Sequence, residues 1–360
     1  MNHSEVFTKE QLTAFTKSVM LHMGHSEAHA QLATDVLLAA DLRGIDSHGV
    51  ARLSGYVRLW EKQRVNAQPD IKVIHETPST ATVDADAALG LISAPFAMKI
   101  AIEKAKQCGS GWVSVMNSNH FGIAGFHSMM ALEHDMIGFA MTNASPLVAP
   151  TFSKERLLGT NPISVAIPAL NELPFVLDMA TSSAANGKLE IAQREGKSIP
   201  LGWVQDKEGN DSTDANALKS GGALLPLGSS HDAAGHKGYG LGALVDILCA
   251  ITGGANYGPW VPPFVAFLDP LPNQPGKGLG HFVGAMRIDA FRPASEFKQH
   301  MDNWIQRFKK ASTIAGAERV LIPGEPEFII AEERKHSGIP LNENVVKDLR
   351  ELSLRFSITL

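Results

Sequence analysis

The sequence predicts a mixed α/β fold of the α+β type, with a strand-rich centre held between two helical ends. Three observations carry this. Apolar residues recur at helical spacing over residues 5–64; from about residue 71 short β-branched and aromatic runs alternate with glycine-rich turns; and beyond Pro293 the helical period returns. These shifts divide the chain into a discontinuous helical domain, residues 1–70 with 292–360, and a mixed α/β domain, residues 71–291.

With 360 residues, 44% of them hydrophobic and 19% charged, the chain can bury an ample core. A formal charge of −5 supplies no basic field, which argues against nucleic acid and anionic membranes as partners. No apolar run is long enough to span a bilayer, the best candidate (residues 241–252) being short and containing Asp246. The first residues lack the basic flank and apolar run of a leader, so a soluble cytoplasmic protein is expected. Cys108 and Cys249 form no metal-type spacing and are both expected as reduced core residues.

In chain order, Ser26 caps a helix in which Leu32, Val36, Leu37 and Ala40 recur at helical spacing, ending near Gly44. His25 and His29 can share a face there. However, the glutamate of a zinc-protease helix directly follows its first histidine, whereas Glu27 would point away, so no metal is expected. Asp46 or Ser47 then caps a helix over residues 46–60. On it His48, Arg52 and Tyr56 fall within roughly 80° of one another, while Val50, Leu53, Val57 and Trp60 form a separate stripe to bury.

Strands are expected over residues 81–89, 111–116, 136–141, 163–167, 175–177, 264–268 and 282–288, with helices over 94–107, 126–134 and 240–252. Phe297, Met301, Trp304, Ile305 and Phe308 mark a later amphipathic helix, and a last one near residues 342–354 carries Val345, Val346, Leu349 and Leu352.

Three stretches carry chemistry. The face with His48, Arg52 and Tyr56 suits a small hydroxy or keto acid: arginine offers a charged fork to a carboxylate, and histidine exchanges a proton near neutrality. His120 lies in a strand-to-helix loop, residues 117–125 (NSNHFGIAG), where glycines permit close backbone approach. Lys237 stands in residues 236–242 (HKGYGLG) at the start of an apolar helix, a place suited to the diphosphate of a cofactor. No GxGxxG joins a strand to a helix; residues 276–284 (GKGLGHFVG) have the wrong last spacing, so a nucleotide would bind without the Rossmann fingerprint.

Taken with residues 40–49 (ADLRGIDSHG), 119–122 (NHFG), 158–162 (LGTNP), 177–182 (LDMATS), 222–228 (GALLPLG) and 322–325 (IPGE), this order of segments resembles the malate/L-lactate dehydrogenase family, a non-Rossmann group of NAD(P)-dependent oxidoreductases. The resemblance implies a largely antiparallel sheet in a cofactor domain, a helical domain from both chain ends, and a homodimer. It implies acid/base roles for His48 and His120 beside Ser47, and substrate binding by Arg52 and Tyr56. Cofactor contacts would come from Ser145, Asp178, Met179, Ala180, Lys237, Gly324 and Glu325. The segment 229–235 is longer than in shorter members, which leaves NAD against NADP open. The expected reaction interconverts a 2-hydroxy acid of malate or L-lactate type and its 2-keto acid. A sulfolactate- or ureidoglycolate-type dehydrogenase, or a reductase of a cyclic imine carboxylate, is the rival within the same resemblance.

Overall fold

A computed structural model describes residues 4–360. Residues 1–3, where the segment without a leader pattern begins, lie outside the described residues. The chain opens with β1 (Ser4–Phe7), α1 (Lys9–His22) and α2 (Glu27–Leu42). Thr8 and Gln11 close a reciprocal capping box on α1, and Ser26 accepts the His29 amide at the start of α2. Two 3-10 turns, Asp46–His48 and Val50–Arg52, then lead into α3 (Leu53–Glu61).

The expected single helix over residues 46–60 is therefore broken, and the cause lies nine residues upstream. The buried Asp41 carboxyl group accepts the Val50 amide at 2.8 Å, taking a donor that a continuous helix would point along its own axis. Gly49 makes this possible: a Cβ there would lie 1.9 Å from Asp41 Oδ1.

The centre follows with β2 (Lys72–Glu76), β3 (Thr80–Asp84), α4 (Gly90–Cys108), β4 (Ser110–Ser118), α5 (Ala124–Met129), β5 (Met136–Thr142), β6 (Ile163–Ile167) and β7 (Phe175–Met179). Next come α6 (Asn186–Glu195), the two-residue strands β8 (Val204–Gln205), β9 (Asp211–Ser212) and β10 (Ala223–Leu224), then α7 (Gly235–Asp246), which continues as a π-helical turn over Ile247–Ile251. The long strand β11 (Leu279–Arg287) returns to the middle of the sheet. After it come α8 (Ala294–Lys309), α9 (Glu325–Ser337), β12 (Ile339–Asn342) and α10 (Glu343–Phe356).

The main sheet has seven strands in the order β2-β3-β4-β11-β5-β6-β7, and every pairing is antiparallel except β3 with β4. The largely antiparallel character implied by the resemblance is thus present. Small residues on α4, among them Ala94, Ala97, Ala101 and Ala105, let that helix sit close on β4 and β11. The two chain ends meet where β1 pairs with β12, and Phe7, Leu12, Phe15, Leu53, Val57, Leu341, Val346 and Leu349 bury one another in a single core. Each such side chain contributes on the order of 1.5–3 kcal/mol by leaving water.

Several expectations need correction. Residues 264–268 form turns and bends, not a strand, and no strand among the described residues pairs with them. The helical N-terminal stretch begins with β1, and α4, α5 and α7 start earlier than their apolar periods suggested. Cys108 is exposed at the end of α4, its thiol 3.4 Å from the Pro78 carbonyl, whereas Cys249 is buried. No described helix is long and apolar enough to cross a membrane.

Candidate active site

One cavity of about 540 Å³ gathers side chains from six parts of the chain. Ser47, His48 and Arg52 enter from the turns between α2 and α3, and His120 from the loop between β4 and α5. Residues 144–147 follow β5, Thr160 precedes β6, residues 185–187 open α6, and Pro263 and Phe264 come from the segment after α7. His48 and His120 stack with ring centroids 5.6 Å apart and planes 22° apart. The broken helix thus still delivers His48 and Arg52 to one space, although not by the predicted i, i+4 spacing on a single helix.

Contacts fix each group. Ser47 Oγ lies 2.8 Å from His48 Nδ1. Arg52 donates from Nε to the Ser47 carbonyl at 2.6 Å, which leaves its terminal nitrogens for an anion. Tyr56 is fully buried behind His120, its hydroxyl 2.7 Å from His120 Nδ1. It supports the site from beneath and does not line the cavity. Phe264 packs against Tyr56, His120 and the Arg52 guanidinium at once.

This environment disfavours positive charge on the imidazoles. Burial, reinforced by the Arg52 cation, lowers the His48 pKa to about 4. Burial first, then His48, Arg52 and His281, holds His120 well below the ordinary histidine value. Both imidazoles are therefore neutral at pH 7, with a fixed cation alongside.

The residues expected around a cofactor are spread more widely. Ser145 lines the same cavity and accepts the Phe264 amide at 2.9 Å. Asp178 and Gly324 line a neighbouring cleft of about 300 Å³ with Arg43, Ile45, Pro323 and Glu327. There the Asp178 carboxylate accepts the Gly125 amide at 2.7 Å, and Gly324, at φ +91°, could carry no Cβ without meeting Val176 at 2.8 Å. Met179 and Ala180 line neither space. Glu325 is buried against Arg319 and Lys309 and accepts the Ile322 amide, so it braces its own loop. Lys237 is exposed in the first turn of α7 and forms no ion pair among the described residues.

This donor set fits a nicotinamide nucleotide. A flat, partly apolar ring suits the lining that Pro146, Leu147, Val261 and Phe264 give this cavity beside the Ser145 hydroxyl.

Sequence reasoning did not single out Phe264, Thr160, Asn186 or Arg156, all of which line the cavity. Thr160 and Asn161 stand in the LGTNP segment already noted, which was a usable signal; Asn161 accepts the Ala144 amide and so ties that segment to the cavity wall. Nothing local marks Phe264 or Asn186.

The model of a family described as malate/L-lactate dehydrogenase matches residues 7–350. A malate dehydrogenase of Pyrococcus horikoshii is 43% identical over 351 residues, covering 97% of this chain and 95% of that protein. A malate/(S)-sulfolactate dehydrogenase of Methanothermus fervidus is 37% identical over 99% of both chains. Among solved structures, malate dehydrogenase from Entamoeba histolytica superposes with a TM-score of 0.92 at 32% identity, over 99% of each chain.

Proposed function

The chain belongs to the malate/L-lactate dehydrogenase family, whose members are NAD(P)-dependent hydroxy acid oxidoreductases, and from that premise we propose that it interconverts malate and oxaloacetate through the His48–Arg52–His120 cavity. One observation carries the reading: a permanent cation and two neutral imidazoles line a single cavity large enough for a small acid beside a nicotinamide ring.

Arg52 takes the C1 carboxylate on its terminal nitrogens, which fixes the hydroxyl-bearing carbon against the histidine pair. A neutral imidazole removes the hydroxyl proton during oxidation and returns one during reduction. Tyr56 and Phe264 hold the His120 ring in place and keep water from behind it. When bound, the nicotinamide supplies the redox half of the chemistry, accepting or returning the hydrogen and electron pair exchanged at the substrate's carbon. Ser145, Asp178, Met179, Ala180, Lys237, Gly324 and Glu325 belong to the surround that holds it, Lys237 and Gly324 by direct approach and Glu325 by bracing.

Malate is preferred over lactate because Arg156 adds a second cation to the same lining, and the relatives from Pyrococcus horikoshii and Methanothermus fervidus are named for acids with a second anionic group. We also place the enzyme in the cytoplasm as a homodimer. Two unpaired cysteines suit a reducing compartment, and Leu241, Leu244, Ile247 and Ile251 form an exposed apolar stripe along α7 and its π turn. The division into an end-derived helical domain and a central cofactor domain is supported by the β1–β12 pairing and the shared core of the ends. The exception is α8, which docks on the sheet side through Asp302 and Trp304.

The reading is tested by following NADH and NADPH oxidation separately with oxaloacetate, pyruvate, sulfopyruvate and a cyclic imine carboxylate. Turnover of oxaloacetate well above the others is expected. Turnover of the imine alone would replace this reading with that of a reductase.

A further inference from the structure

Resting on the dehydrogenase reading above, we infer that the two histidines have different jobs: His120 is a fixed neutral hydrogen-bond donor through Nε2, and His48 alone exchanges the proton.

The inference starts from Tyr56. Its side chain is fully buried, and among the described residues its hydroxyl has one hydrogen-bond partner, His120 Nδ1 at 2.7 Å. A buried phenol keeps its proton, since burial pushes its pKa up, and the O–H must be donated somewhere. It is therefore donated to Nδ1. The Gly122 amide, which can only donate, faces the same nitrogen at 3.3 Å. Two donors on Nδ1 make that atom an acceptor. A neutral imidazole carries a single N–H, so the proton of His120 resides on Nε2, the ring nitrogen turned away from Tyr56 and Gly122. A nitrogen that already holds its proton cannot accept the substrate's.

His48 is not constrained in this way. Among the described residues its Nδ1 faces only the Ser47 hydroxyl, at 2.8 Å, and a hydroxyl either donates or accepts. When Ser47 accepts from Nδ1–H, the Nε2 lone pair is open. During oxidation the substrate O–H bond breaks and a new N–H bond forms at His48 Nε2. The same substrate oxygen, as it becomes a carbonyl oxygen, keeps its hydrogen bond from His120 Nε2–H. In the reverse direction His48 returns the proton while His120 stabilises the developing negative charge on oxygen. The titratable and charged groups around this pair are Arg52, Tyr56, His281 behind His120, and each imidazole for the other.

The test uses the full-length protein labelled with ¹⁵N-histidine and reads long-range ¹H–¹⁵N correlations, with the His120 signals identified by their loss in His120→Gln. The expected result is an unprotonated Nδ1 and a protonated Nε2 throughout the neutral range. A protonated Nδ1 would overturn the inference. If His120→Gln does not fold, Tyr56→Phe, which removes one donor to that ring, identifies the same signals. In parallel, the pH dependence of kcat/KM for hydroxy acid oxidation separates the roles. His48→Gln should abolish the acid limb. His120→Gln should retain it beneath a pH-independent loss of about 10²–10³-fold, the usual effect of removing one oxyanion donor; the opposite pattern would overturn the assignment. If the wild-type protein turned over no 2-hydroxy acid at all, the dehydrogenase reading would fall, while the ¹⁵N measurement would still decide the tautomer.

Discussion

The Asp41 carboxyl group accepts the Val50 amide at 2.8 Å, so the turn that carries His48 stands on a buried acid. Burial raises the Asp41 pKa from 3.8 to about 8. The native state therefore keeps a proton that the unfolded chain releases. The stability this group contributes is full below about pH 4 and is lost as pH rises toward 8. Asp41→Asn should flatten that part of the pH dependence in urea denaturation, and a slope matching wild type would refute it. Asp41→Ala should cost about 1–3 kcal/mol by orphaning the Val50 amide.

Gly49→Ala should be worse, because its Cβ would fall 1.9 Å from Asp41 Oδ1. We expect a loss of about 3 kcal/mol together with most of the activity. The three nearest atoms to that Cβ all belong to the Asp41 carboxyl group, so Asp41→Ala added to Gly49→Ala should restore part of the stability. A double-mutant cycle with no coupling would contradict this arrangement.

Replacing Arg52 probes two effects in one variant. Arg52→Gln removes the fork proposed for the substrate carboxylate, with an expected fall in kcat/KM equivalent to about 2–5 kcal/mol. It also removes a positive neighbour that helps lower the His48 pKa to about 4. In wild type, oxidation should be lost only as pH falls through about 4, where the base becomes protonated; in Arg52→Gln that limb should move to higher pH. A limb at the ordinary histidine value in wild type would count against His48 as the base.

Lys237→Ala should raise the KM for the nicotinamide cofactor on the order of 10-fold, equivalent to about 1.4 kcal/mol, with kcat little changed. Lys237 is exposed and outside both cavities, so its effect should appear in cofactor titrations and not in chemistry. Equal affinity for both proteins would remove it from the site.

The apolar stripe on α7 makes a separate prediction. Leu244→Glu should convert a dimer into a monomer in sedimentation experiments, since Leu244 lies between Leu241 and Ile247 on the exposed face. A wild-type protein that sediments as a monomer at micromolar concentration would end that proposal.

Much of the fold was legible where one face is buried and the other wet. The periods of α2, α8 and α10 and the short apolar runs of β4, β5 and β6 each have this origin. Strand β2 was not visible because all five of its residues are exposed, leaving no alternation to read. Residues 264–268 have strand composition, yet Phe264 is committed to the site and Phe267 faces solvent. The reactive residue types of the site, His48, Arg52 and His120, stood out in sequence by their chemistry. The break between His48 and Arg52 did not, because it is set by a side chain in the preceding helix competing for one amide. Phe264 and Asn186 reach the cavity only through tertiary packing, which leaves no local trace.

Arg334 donates to the Asp41 carbonyl, 293 residues away in sequence, and to the Asp46 carboxylate, 288 away, and β12, just beyond it, pairs with β1. During synthesis the segment bearing His48 is made before the groups that lock it, with the central sheet in between. The N-terminal helices therefore gain the Arg334 contacts and the β12 pairing only once the central sheet has been made. A chain released before α9 would carry His48, Arg52 and His120 without the clasp that holds the turn between α2 and α3.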